Sequence, residues 1–178
     1  MQQDHYGSIA KFLHWVIALL IMINYVLGLL LDKTSLYNVH KQIGLTILVL
    51  VILRILWRIL SSYPAMLGEI PKYEKIAAKT TYILLYILMV SIPIGGILLV
   101  ESHGYPLTLW SLITLPTIIS SQPNNVSHII LLCHEYAAHT IIALATLHML
   151  AAIKHYCINK DRVLLRMLPF YVESNKRK

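Results

Sequence analysis

Residues 133–155 read CHEYAAHTIIALATLHMLAAIKH, an apolar run that carries His134, His139, His148 and His155. An ionisable side chain at membrane depth is costly and therefore marks a functional position with a partner to be found. His134 and His148 are 14 residues apart. At about 100° and 1.5 Å per residue this leaves them within about 40° on one helix face and about 21 Å apart along the axis. His155 continues that face about 10 Å beyond His148, whereas His139 points about 140° away from His134. One helix thus offers two stacked imidazoles.

The rest of the chain has the composition of a membrane protein. Of its 178 residues, 57% are hydrophobic and 13% charged, and mean hydropathy is +0.67; a soluble domain carries roughly 25% charged residues. The length suits several spans in one compact unit, residues 1–178, without a substantial soluble domain. The net charge of +7 is gathered in particular loops, which points to membrane orientation and not to nucleic acid. Cys133 and Cys157 would lie about 36 Å apart on one helix, too far for a disulfide. Position 130 is Ile, so no CxxCH haem-attachment motif precedes His134.

Four spans are expected, at roughly 8–31, 39–60, 77–100 and 128–156, which makes the fold class all-α, an integral membrane four-helix bundle. The first apolar run is too long for a signal-peptide core and is read as a retained span, with Ser8 as its N-cap. It carries His14 followed by Trp15. The second opens with His40 and has Gly44 one turn later, suited either to close approach of a planar group or to helix packing. Arg54 and Arg58 share the His40 face; Arg58 is read as snorkelling and Arg54 as deep enough to meet a buried anion. The linker 61–79 is basic. The third span has Tyr82 and Tyr86, read as interfacial aromatics or pocket residues, then Pro93 and the pair Gly95 and Gly96. Residues 101–127 contain no Lys or Arg, and their apolar stretch is too broken to span, so it is placed at the membrane interface.

Lys and Arg crowd the loop between spans two and three and the tail after span four, which places both termini in the cytoplasm. His40 and His134 then lie near the outer face, and His14 and His148 near the inner face. Each pair can supply two axial nitrogens to a haem iron, and filling both axial positions favours electron transfer over oxygen binding. Arg54 follows His40 by the same 14 residues that separate His148 from His134, so it reaches the inner level, where haem propionates need cations.

The segments FLHWVIAL (12–19), NVHKQIGLTILVLVILRILWR (38–58), LLYILMVSIPIGG (84–96) and HEYAAHTIIALATLHMLAAIKHYCINKDRVLLRMLP (134–169) resemble those of the bacterial cytochrome b-561 family across nearly the whole chain. The resemblance implies a four-helix, di-haem b cytochrome of the bacterial inner membrane, with His14, His40, His134 and His148 as ligands. Cys133, where a Trp often stands, and Lys154, where some members have a second His, depart from the family without touching a ligand. Short free-standing members are similar to superoxide oxidases, which implies electron transfer from superoxide to ubiquinone.

Lys33 and Lys41 sit where an anion would be attracted. His155 is read either as a proton or hydrogen-bond donor to quinone, with Trp15 packing nearby, or as an interfacial residue. Two other readings stand beside this one. One is a cytochrome b subunit that passes electrons between a partner dehydrogenase or hydrogenase and quinone. The other is a His-rich metal-ion transporter, for which scattered methionines and the scarcity of Asp and Glu within the spans offer few ligands.

Overall fold

The computed structural model describes residues 6–31, 34–61 and 71–168, and shows four helices long and apolar enough to cross a membrane. They are α1 (Ser8–Leu29), α2 (Thr34–Leu60), α3 (Lys72–Ser102) and α4 (Asn124–Cys157). Large apolar side chains are exposed along all of them, among them Phe12, Leu19, Ile87 and Leu147. That pattern suits a hydrocarbon solvent, against which an outward Leu carries no penalty.

The helices differ from the expected spans mainly at their starts. α3 and α4 begin earlier than 77 and 128 because Pro71 and Pro123 stand at their N-caps with φ −51° and −56°, a ring geometry already matched to helix entry. Lys72, Lys75 and Lys79 therefore lie on the first turns of α3 and not in a loop. α2 begins before 39, at Thr34. Ser8 is the first helical residue; the N-cap is Gly7, and no side chain caps it. The span-two linker residues Asp32 and Lys33, the linker positions 62–70 and the tail beyond 168 lie outside the described residues.

Successive helices pack side by side, α1 on α2, α2 on α3 and α3 on α4. The His40 ring meets the carbonyl of Asn24 late in α1, while Arg54 meets the carbonyl of Ala10 early in α1, so these two helices run antiparallel. Leu13, Ile17, Ile47 and Val51 form one buried cluster between them, extended by Met89 and Val90 of α3. A second cluster joins Leu45 to Ile97, Val100 and Leu107 near the end that holds the end of α1, the start of α2 and the connection 103–123, the distal end. The opposite, proximal end holds the start of α1, the end of α2, the start of α3 and the end of α4.

The connection expected over 101–127, whose apolar stretch 107–119 is read as interfacial, runs over 103–123 and contains a two-stranded antiparallel hairpin, β1 (Thr108–Leu109) and β2 (Ile113–Thr114). Its turn holds Trp110 and Ser111 at φ 47° and 59°, a left-handed conformation that costs roughly 1–2 kcal/mol per non-glycine residue. Anchors on α2 offset the cost. Gln42 accepts from the Trp110 backbone N–H at 2.7 Å and donates to Thr108 O at 2.8 Å, while the Trp110 indole N–H donates to Thr46 at 3.0 Å. Further along, the buried Glu101 carboxylate accepts from the backbone N–H groups of Ile118 and Ile119, both at 3.0 Å. This segment is thus fastened to the distal ends of α2 and α3.

Candidate functional site

The histidines sort by depth. At the distal level, His40 of α2 and His134 of α4 face one another with ring centroids 6.2 Å apart and planes at 78°. Each ring is held from behind by a different helix. His40 Nδ1 bonds to Asn24 O of α1 at 3.0 Å, and His134 Nδ1 bonds to Ile92 O of α3 at 3.0 Å. A carbonyl only accepts, so Nδ1 carries the proton in both rings and the lone pair resides on Nε2.

Two glycines make room for these rings. A Cβ on Gly28 would stand 3.2 Å from His40 Cε1, and one on Gly96 would stand 3.3 Å from His134 Cε1. Gly44, which the sequence singles out for close approach, would instead make an ordinary 3.5 Å contact with the Asn24 amide. The α3 helix has no histidine, yet it supplies the Ile92 carbonyl and the bare backbone at Gly95 and Gly96. Gly28 had no signal in the sequence, because nothing in an apolar run says which glycine will meet an imidazole from the next helix.

At the proximal level, His14 of α1 lies within electrostatic reach of both Arg54 and His148, and His148 within reach of Arg54. Arg54 bridges three helices: its Nε–H donates to the Tyr86 hydroxyl at 3.1 Å and its Nη1–H to Ala10 O at 3.4 Å. Tyr86, for which the sequence leaves an interfacial place or a pocket place open, is half-buried and orients this arginine. Five N–H donors on one guanidinium leave further ones for an anion.

Trp15 and His155 are each joined to the stretch of chain that follows α4. The Trp15 indole N–H donates to Met167 O at 2.8 Å, in the short 3-10 turn Leu165–Met167. His155 Nδ1 bonds to Asp161 at 2.5 Å, and its Nε2 lies 3.8 Å from Glu74, which also pairs with Lys154 at 2.7 Å. His155 is therefore an imidazole between two carboxylates. His139 points away from the other histidines and pairs with the Tyr25 hydroxyl at 2.9 Å. At the distal surface the Lys41 ammonium lies 4.7 Å over the Tyr37 ring. Among the described residues, no group of three or more His, Cys, Asp or Glu is placed to hold a metal ion.

These features define a multi-pass helical membrane protein whose histidines converge between helices at two depths. The chain belongs to the prokaryotic cytochrome b561 family, whose sequence model matches residues 5–170. Cytochrome b561 homolog 2 of Escherichia coli (strain K12) is 29% identical over 176 residues, covering 93% of the chain and 92% of that protein. Cytochrome b561 homolog 1 of the same strain is 29% identical over 175 residues, covering 93% and 98%. The probable superoxide oxidase CybB of Yersinia pestis is 28% identical over 135 residues, covering 74% and 73%. Membership carries transmembrane electron transfer with b-type haem as the coarse function, and sets the metal-transporter reading aside.

Proposed function

We propose that this chain is a di-haem b cytochrome of the bacterial inner membrane, with both termini cytoplasmic, that oxidises superoxide on the outer side and reduces ubiquinone near the inner side. The observation that carries the reading is the His40–His134 pair. Their ring centroids stand 6.2 Å apart, and imidazole is a common ligand of haem iron, so these are the two side chains that would hold the group between α2 and α4. The Nδ1–carbonyl bonds prepare both rings for ligation through Nε2, the usual outer-shell arrangement behind a metal-bound imidazole. Haem held by these residues would supply one-electron transfer chemistry.

His14 and His148 are assigned as the second ligand pair, and Arg54, already oriented by Tyr86, as the cation that receives a propionate. Lys41 draws the superoxide anion to the distal end. Two superoxide anions yield two O₂, and their two electrons with two protons turn ubiquinone into ubiquinol. His155, set between Glu74 and Asp161, supplies a proton to the quinone, and Trp15 packs on the same side. The name of the CybB relative, at 28% identity, supports superoxide as donor, and the charge distribution supports the orientation.

The test is a reduced-minus-oxidised spectrum with a haem count, followed by addition of superoxide and then ubiquinone. Reduction of two haems, then of quinone, with dismutase abolishing both, is the expected course. Haems that stay oxidised under superoxide sink the choice of donor, and a single haem per chain sinks the two-pair assignment.

A further inference from the structure

At the proximal end, charged side chains from α3, α4 and the segment after α4 gather around His155. Its Nδ1 meets Asp161 of that segment at 2.5 Å. An ionised carboxylate only accepts, so Nδ1 carries a proton there; the Asn159 amide stands farther from this nitrogen, at 3.2 Å. Asp161 is itself fixed, because its other oxygen accepts from the Val163 backbone N–H at 3.0 Å and its own backbone N–H donates to His155 O at 3.1 Å. Nε2 is therefore the nitrogen left to exchange protons.

Nε2 faces Glu74, on the first turn of α3, across 3.8 Å. The two oxygens of this carboxylate differ. Oε1 pairs at 2.7 Å with the Lys154 ammonium, whose side chain is 43% exposed. Oε2, on the imidazole side, is buried and has no hydrogen-bond partner among the described residues. The Lys154 pair accounts for the first oxygen and leaves the second unexplained. A buried acceptor without a donor is costly, and a proton held between Oε2 and Nε2 removes that cost.

We propose that Glu74 is the acid that reloads His155, passing protons from water at the proximal surface to Nε2. This rests on the reading of His155 as proton donor to the quinone and adds the group behind it. In each cycle the Nε2–H bond breaks as a quinone O–H bond forms, the Glu74 O–H bond breaks as a new Nε2–H bond forms, and surface water returns a proton to Glu74. Two cycles supply the two protons of ubiquinol, and no electron passes through Glu74. Asp161 keeps the ring from turning, so Nε2 stays aimed at the carboxyl. The 3.8 Å gap is wider than a hydrogen bond, which leaves Nε2 open to a quinone oxygen, and a small rotation of the Glu74 side chain closes it for reloading.

The experiment uses the haem-loaded full chain in mild detergent, chemically reduced and mixed with ubiquinone in a stopped-flow spectrometer, so that the choice of superoxide as donor does not enter. Wild type is expected to reoxidise in one phase. In Glu74→Gln a His155 already loaded serves the first proton and its slow reloading delays the second. Half of the haem absorbance change is then expected at the wild-type rate and the rest at least about tenfold more slowly, as for loss of a general acid. Lys154→Gln, which removes the salt bridge and keeps the carboxyl, is expected to stay within about twofold of wild type. Infrared difference spectra of wild type with quinone are expected to show a carboxyl C=O band that shifts in heavy water and is missing from Glu74→Gln. Should Glu74→Gln fail to fold, Glu74→Asp decides, with a slow phase of the same kind and a smaller delay. A single phase at the wild-type rate in the deciding variant, slowing of both phases alike, an equal effect of Lys154→Gln, or no such carboxyl band overturns the role of Glu74. No reoxidation of wild type by ubiquinone, or an unchanged rate in His155→Ala, overturns the reading of His155 instead.

Discussion

His40 and His134 stand 6.2 Å apart, centroid to centroid, and each is braced through Nδ1 by a backbone carbonyl of a neighbouring helix, Asn24 O for one and Ile92 O for the other. Four helices therefore cooperate in placing two rings. If this pair holds one haem, His134→Ala is expected to halve the haem content, read as a pyridine haemochrome per chain, and to leave the remaining haem spectrum intact.

The glycines offer a gentler probe of the same pair. A valine at Gly96 would begin with a Cβ 3.3 Å from His134 Cε1 and add two methyl groups, an overpacking that costs roughly 1–3 kcal/mol. Gly96→Val is expected to lower the melting temperature of the protein and to weaken retention of one haem, with His134 still present. Unchanged melting and full haem retention would show that the ring moves aside freely.

Arg54 lies within electrostatic reach of His14 and His148 and is held by Tyr86 and Ala10. Removing a cation beside a redox centre favours the more positive, oxidised form. If the chain holds two haems as proposed, Arg54→Gln is expected in a redox titration to lower one potential by about 60 mV, a tenfold change for one electron, and to leave the other nearly unmoved. No shift in either would place Arg54 away from both centres.

Glu101 is buried, and its carboxylate accepts two backbone N–H groups. Bonds to a charged acceptor contribute roughly 1.5–3 kcal/mol each. With Glu101→Gln, amide exchange at Ile118 and Ile119 is expected to rise at least about tenfold, while exchange in the α1–α2 core stays constant. The haem content is expected to be unaffected.

Tyr25 and His139 form a hydrogen bond of 2.9 Å between α1 and α4. Loss of one such bond typically costs about 1 kcal/mol. Tyr25→Phe is expected to lower thermal stability by that order and to leave the haem spectrum as it was; lost haem would instead tie His139 to haem binding.

The sequence by itself determined the four spans, because a bilayer demands about 20 apolar residues per helix and internal satisfaction of every backbone group. It also determined which histidines share a face and a depth, since a helix turns about 100° and rises 1.5 Å per residue whatever it packs against. Tertiary structure alone decided what stands behind each ring. Every residue has a carbonyl, so nothing in the letters marks Asn24 or Ile92 as the acceptor, and an apolar run does not say that Gly28 and Gly96 meet an imidazole while Gly44 does not. The same holds for Tyr86, which accepts a hydrogen bond from Arg54, and for the hairpin, whose Trp110 and Ser111 turn lacks the usual Asn-Gly signal and is stabilised by Gln42 and Thr46 from a helix more than 60 residues away in the chain. Contacts between helices depend on positions that periodicity within one helix does not encode.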